Sequence, residues 1–267
     1  KAANGRIQLC APISKEEIEE LFAGDIVEEE DIQLTSDGAL KARRVTRYKT
    51  VELQAAAIKS ASPEAGEAAL IREIRRRGIS RLPWSRDQQR LRKRVAYARE
   101  NGAADLPDLG ERSLLETHED WLQPYLSGLT TINAVDAEVL GNALSGLLPY
   151  AAAARLDKLA PSHFTAPTGS RVPIDYGAAA GPTLSIRVQE LFGLKEHPSV
   201  CEGKLPLILE LLSPAQRPIQ VTKDLPGFWA GSWADVKADM KGRYPKHPWP
   251  DDPTQAEATR RAKPRGK

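Results

Sequence analysis

Cysteine is almost missing from this 267-residue chain, which holds only Cys10 and Cys201. Two thiols so far apart build neither a disulfide framework nor a zinc site, and they point to a reducing compartment. Long apolar runs are missing as well. No stretch reaches the roughly 18 residues of a spanning helix, and no basic start with an apolar middle marks a secretion signal. The expectation is therefore a cytoplasmic protein with no membrane partner. An excess of one charge sign is also lacking: 38 Lys and Arg stand against 36 Asp and Glu, a net charge of +2. That total announces no polyanion partner, so the distribution of charge has to decide. The chain opens on Lys1 rather than Met, and the expectation is a piece of something longer.

Catalytic constellations are absent too. A phosphate-cradling loop needs Gly-Lys followed by Ser or Thr, whereas Gly203-Lys204 precedes Leu205 and Gly266-Lys267 ends the chain. His118 sits beside Glu119 and Asp120, but adjacent residues on a helix point different ways and cannot converge on one proton. It reads as a helix-surface histidine. Ser162-His163 and Ser170 lack a nucleophile elbow and read as loop caps. No catalytic residue, metal ligand or cofactor is expected in this chain.

What is present is an ordinary globular composition, 41% hydrophobic and 28% charged, with length for two or three domains. Residues 6–12 read as a strand, and Ser14 with Glu17 as a capping box opening a short helix. A hairpin follows around Asp37-Gly38. Taken as a two-residue loop, it places Asp31 opposite Arg44, Glu28 opposite Arg47 and Val27 opposite Tyr48, with ion pairs across the strands. From Ser62 the period turns helical: Ser62-Pro63 to Gly78, then Ser85 and Gln88 as a second capping box ahead of Leu91, Val95 and Ala98. Ser113 with Glu116 opens a third helix carrying Leu115, Trp121, Leu122, Tyr125 and Leu126. Two more run over 134–147 and 151–159. After Pro161, Gly and Pro punctuate short strands at 171–176, 184–188, 205–212 and 218–221, with a last helix over 231–241.

The strongest physical signal runs from Arg72 to Arg99, where eleven basic residues face only Glu73 and Asp87. Arg76 belongs to this run, and Arg86, Arg90, Lys93 and Arg94 fall on neighbouring turns opposite Leu91 and Val95, a ridge able to follow a phosphate backbone. Solvated or ion-paired helix faces are the competing reading. A second concentration, Lys241 to Pro250, alternates basic and aromatic residues. There Arg243 and Lys246 hold phosphate while Tyr244 or Trp249 stacks a base, unless the aromatics instead pin a proline-stiffened strap to the domain.

At that segment the chain resembles a known family. Leu211-Leu-Ser-Pro-Ala-Gln-Arg-Pro through Asp224-Leu-Pro-Gly-Phe-Trp-Ala-Gly-Ser-Trp233 to Arg243-Tyr-Pro-Lys-His-Pro-Trp-Pro-Asp-Asp-Pro253 is similar to the C-terminal signature of the bacterial HrpB family of DEAH-type ATP-dependent helicases. Leu82-Pro-Trp-Ser85, Glu119-Asp-Trp-Leu-Gln-Pro-Tyr-Leu126 and Leu159-Ala-Pro-Ser-His-Phe through Asp175-Tyr176 resemble it at corresponding places. The resemblance implies two ATPase lobes, winged-helix and bundle domains and an oligonucleotide-binding fold in the parent, with this chain beginning inside that fold. It implies ATP and magnesium in the parent, and no family catalytic residue carries over, because no ATPase motif is found here.

The expected fold class is α+β: a partial OB-like β segment over 1–60, a helical bundle over 61–160, a small mixed domain over 161–253 and a disordered basic tail over 254–267. The expected role is to bind and guide RNA or other single-stranded nucleic acid for the helicase core of the same parent. The alternative is a protein-docking module presenting Phe228, Trp229, Trp233 and Trp249 as one exposed patch, for a partner the sequence does not name.

Overall fold

A computed structural model describes residues 11–262. The first part of the chain folds as α1 (Lys15–Leu21), β1 (Ile26–Leu34), β2 (Leu40–Tyr48), β3 (Val51–Ile58) and α2 (Pro63–Arg77). The helical stretch continues with α3 (Arg86–Glu100), α4 (Glu111–Glu116), α5 (His118–Trp121), α6 (Ala137–Leu147) and α7 (Tyr150–Leu159). Then come β4 (His163–Thr165), β5 (Arg171–Pro173), β6 (Thr183–Arg187), β7 (Ser199–Val200), β8 (Leu205–Pro206), β9 (Ile208–Leu212), β10 (Pro218–Thr222), α8 (Leu225–Ala230) and α9 (Trp233–Arg243). The class is α+β, and among the described residues no barrel closes. No described helix is long and apolar enough to cross a membrane. The strand expected over 6–12 lies outside the described residues except for Ala11 and Pro12, which belong to no element.

Two compact units emerge, and they divide the helical stretch expected as one domain over 61–160. Residues to Pro83 and Thr117–Ala143 form the first, Trp84–Glu116 and Leu144 onward the second. Periodicity shows that a helix has an apolar face but not which surface covers it, so consecutive helices are easily assigned to one bundle.

In the first unit β1, β2 and β3 form an antiparallel meander. Its apolar side, Ile32 and Ala42, packs on Ala69 of α2. The helix starts on Ser62, whose hydroxyl accepts from Ala65 N–H, and ends at Gly78 with φ +89°, a left-handed angle that a side chain would strain. The hairpin register differs by one residue from expectation: Asp31 pairs with Arg43, Glu28 with Thr46 and Val27 with Arg47. Thr35 N–H donates to Ala39 O and Gly38 N–H to Thr35 O, so the loop holds Ser36, Asp37 and Gly38, with Gly38 at φ +87°. Three-residue loops close in this way around a left-handed glycine. The expected cross-strand ion pairs do form, with partners shifted: Arg43 to Asp31 at 2.6 Å, Arg44 to Glu28 at 3.1 Å and Arg47 to Glu29 at 2.8 Å.

The second segment of this unit is pinned to the loop. Leu40 N–H donates to Thr130 O and Ile132 N–H to Gly38 O, while Asn133 Nδ2 donates to Asp37 O. The third helix, expected to start at Ser113, starts at Glu111 instead and does not continue through the apolar residues. A 3-10 turn with Pro124 inside it takes over at Gln123–Tyr125, as proline's missing donor requires. Trp121, Leu122 and Leu126 are buried as expected, but Tyr125 is exposed. His118, read as a surface histidine, is buried, because the four-residue helix turns that side inward.

In the second unit β6 runs parallel to β9 and β10 antiparallel to it, in the order β10-β9-β6. Leu184, Ile186, Leu209 and Leu211 are fully or nearly buried. Against them stands an aromatic cluster: Phe192, Phe228 and Trp229 have ring centroids 5.4 to 6.2 Å from Trp233, and Trp249 lies 5.9 Å from it. Each buried indole N–H needs an acceptor. Trp229 donates to Leu194 O, Trp233 to Pro250 O and Trp249 to Tyr244 O. Where composition predicts a disordered tail from 254, Gly193 N–H donates to Pro253 O and Thr259 N–H to Gln189 O, and the chain lies against residues 167–168 and 192–194 as far as Arg261.

Candidate functional site

The basic run from Arg72 to Arg99 is divided between the two units, α2 belonging to the first and α3 to the second. On α2, Glu73 gathers its neighbours: Arg76 Nη2 lies 2.6 Å and Arg77 Nε 2.5 Å from its Oε1. Together with Arg72 they border a groove beside Ile32 to Ser36. These hydrogen bonds, Arg76's first, hold the Glu73 carboxyl down to about 2 from an ordinary 4.5 despite the opposing effect of burial. A lowered carboxylate pKa contributes stability that is complete above pH 4.5 and lost as pH falls towards 2. Glu73→Gln is expected to flatten that acid limb, read as melting temperature against pH between 4.5 and 2.

On α3 the basic residues divide by role. Ser85 and Gln88 form the expected capping box, which fixes the helix start and so the direction of every later side chain. Arg92 lies over the Trp84 ring at 4.7 Å and donates to Leu109 O. Arg99 donates to Ala104 O and Leu106 O. Arg94, expected on the open ridge, is a correction: it is 9% exposed, next to Val95 at 0%. Its guanidinium donates to the Ala160 carbonyl and to Asp157 on α7. Four residues make just over one turn, so Arg94 stands above Arg90 yet leans towards α7, where the Ala160 and Asp157 oxygens receive it.

Arg86, Arg90 and Lys93 remain open. They line one wall of a 330 Å³ groove whose other wall is built from Asp175, Thr183 and Ser185. Arg90 makes only a loose pair with Asp87, at 3.5 Å and with both side chains largely exposed, the kind worth little in water. Lys93 is placed by Gly177: a Cβ there would occupy the space of the Lys93 side chain. The opposite wall escaped sequence reasoning. Its residues lie inside the Val172-Pro-Ile-Asp-Tyr176 string and on β6, and no charge run or spacing marked them.

The C-terminal strap divides in the same way. Arg243 pairs with Asp239 at 3.1 Å and Lys246 is exposed, but Trp249 and Tyr244 are half-buried and tied to each other through the indole N–H. Pinning is the arrangement observed. Phe228, Trp229 and Trp233 are 3%, 7% and 2% exposed, so the aromatic patch required for docking does not exist as a surface. His163 and Ser162 are within 3.0 Å of each other, while Ser170 and Thr168 both donate to Glu190, far from a shared nucleophilic geometry.

The comparisons with known proteins give the class first. Residues 121–253 match the family described as "ATP-dependent helicase C-terminal". The chain is also 40% identical over 240 residues to the ATP-dependent RNA helicase HrpB of Escherichia coli strain K12, covering 90% of this chain and 29% of that protein. A crystal structure of the E. coli DExH-box NTPase HrpB superposes at a TM-score of 0.74 with 36% identity, over 94% of this chain and 31% of that one. Another, of the E. coli DEAH/RHA helicase HrpB, gives 0.65 and 35%, over 84% and 29%. The chain belongs to the HrpB helicase family, to its C-terminal region. It spans about three-tenths of the relative's length.

Proposed function

We propose that this region binds the backbone of single-stranded nucleic acid, RNA in the first place, and guides it for an ATP-driven motor in the cytoplasm. The observation that carries the reading is the α3 wall, where Arg86, Arg90 and Lys93 stand on consecutive turns beside an open groove while Arg92, Arg94 and Arg99 are committed to carbonyl groups. Guanidinium groups free of a buried partner keep their donors for phosphate. Arg76, Arg243 and Lys246 supply further positive charge along the chain.

For ATP and magnesium, implied by the family, the Gly-Lys pair among the described residues is not a fitting site. Gly203-Lys204 lies in the turn between β7 and β8 rather than at the start of a helix, and a P-loop requires its backbone donors to open one. Hydrolysis belongs to the helicase core, and this region serves as its accessory. The test is a salt titration of binding to a labelled RNA 12-mer. Each phosphate neutralised on a single strand contributes a slope of about −0.7 in log K against log [salt], so about three contacts predict a slope near −2. Affinity independent of salt would overturn the reading.

A further inference from the structure

The wall facing the α3 cations has a chemistry of its own. Thr183 Oγ1 donates to Gly181 O at 2.9 Å and Ser185 Oγ donates to Glu210 at 2.5 Å. Both hydroxyl hydrogens are therefore engaged, leaving oxygen lone pairs towards the groove. Asp175 Oδ1 accepts the Gly177 N–H at 2.8 Å, and its second oxygen has no donor among the described residues. All three polar side chains of this wall thus present acceptors.

A carboxylate in a groove that took phosphate alone would work against binding, since like charges disfavour each other at close range. It becomes favourable when the ligand brings a hydrogen-bond donor to that side and its phosphate to the other. The spacing is short here, because Lys93 lies directly on Gly177, the residue that holds Asp175. A ribonucleotide offers that pair of groups, a 2′-hydroxyl beside a phosphate, and a deoxyribonucleotide lacks the hydroxyl. Acidic side chains take ribose hydroxyls in the same way in dinucleotide-binding folds. At 330 Å³ the groove is at the small end of ligand clefts, about 300–1,000 Å³, which suits one sugar-phosphate unit of a single strand.

We propose that Asp175 accepts the ribose 2′-hydroxyl while Lys93 holds the neighbouring phosphate, so that this groove selects RNA over DNA. The proposal rests on the reading of the groove as a backbone site and adds its sugar specificity. It is tested with labelled uridine 12-mers carrying ribose, deoxyribose or 2′-O-methyl ribose, measured by fluorescence anisotropy on the chain and on Asp175→Asn. All three strands carry the same base, so the uracil N3–H donor cannot account for a preference among them. The chain is expected to bind the ribose strand about five-fold or more tightly than either of the others, because the methyl ether keeps an acceptor but loses the donor. Asp175→Asn retains the Gly177 bond and is expected to bring the three within about two-fold, mainly by tightening the deoxyribose strand. Equal affinities for the three strands in the unaltered chain, or an unchanged preference in Asp175→Asn, would overturn it. Salt-dependent binding that falls with Arg86, Arg90 and Lys93 but ignores the sugar condemns Asp175 alone; binding insensitive to those three condemns the groove and the sugar reading with it.

Discussion

Changing Arg86, Arg90 and Lys93 together to Gln is expected to weaken single-stranded RNA binding about 10- to 100-fold near 0.1 M salt and to reduce the salt slope by about 2 units. The argument is electrostatic. All three project from one face of α3 into the same groove, none is buried, and each phosphate contact releases its share of condensed counterion. Glutamine keeps length and helix propensity, so the fold is not at issue. Arg94→Gln separates the two roles of the helix. Its guanidinium is spent on Ala160 and Asp157, so the change is expected to lower stability with no loss of salt slope. Anisotropy titrations at several salt concentrations, with thermal melts alongside, read both outcomes. A triple variant with an undiminished slope would remove the groove from consideration.

Trp233→Ala is expected to cost about 3–5 kcal/mol of unfolding free energy, the range for truncating a large buried aromatic. Trp233 is 2% exposed and faces Phe192, Phe228, Trp229 and Trp249. Its loss also leaves the Pro250 carbonyl without its donor, which adds a desolvation penalty. Denaturant unfolding followed by tryptophan fluorescence measures it. The result also judges the docking alternative. An interaction surface would tolerate the change in stability and show it in binding, whereas a core reports it in the unfolding midpoint.

Much of the local structure was legible in the chain. Ser14 with Glu17, Ser62 with Pro63, and Ser85 with Gln88 announce helix starts because a hydroxyl that accepts an orphan N–H has few other places to be used, and each cap is found where expected. The hairpin was legible except for its register, since Asp37-Gly38 marks a turn without distinguishing a two-residue from a three-residue loop. The site was half legible. Charge density identified α3, and helical spacing grouped Arg94 with Arg90 although α7 captures it. Asp175 and Ser185 were illegible as partners of α3, because about 80–100 residues separate them in sequence and no local rule connects them.

By itself the sequence determined the α+β class, the helix starts at Ser14, Ser62 and Ser85, and the concentration of positive charge between Arg72 and Arg99. These are local properties, set by capping, period and composition over short windows. Tertiary structure alone decided how that charge is used. It divided the basic run between two units, buried Arg94 against α7, turned Phe228, Trp229 and Trp233 into a core, and set an acceptor wall across from Arg86, Arg90 and Lys93. The reason is that a side chain's availability depends on which distant segment buries it, and burial of a cation or an indole is settled by the partners found there rather than by its neighbours in the chain.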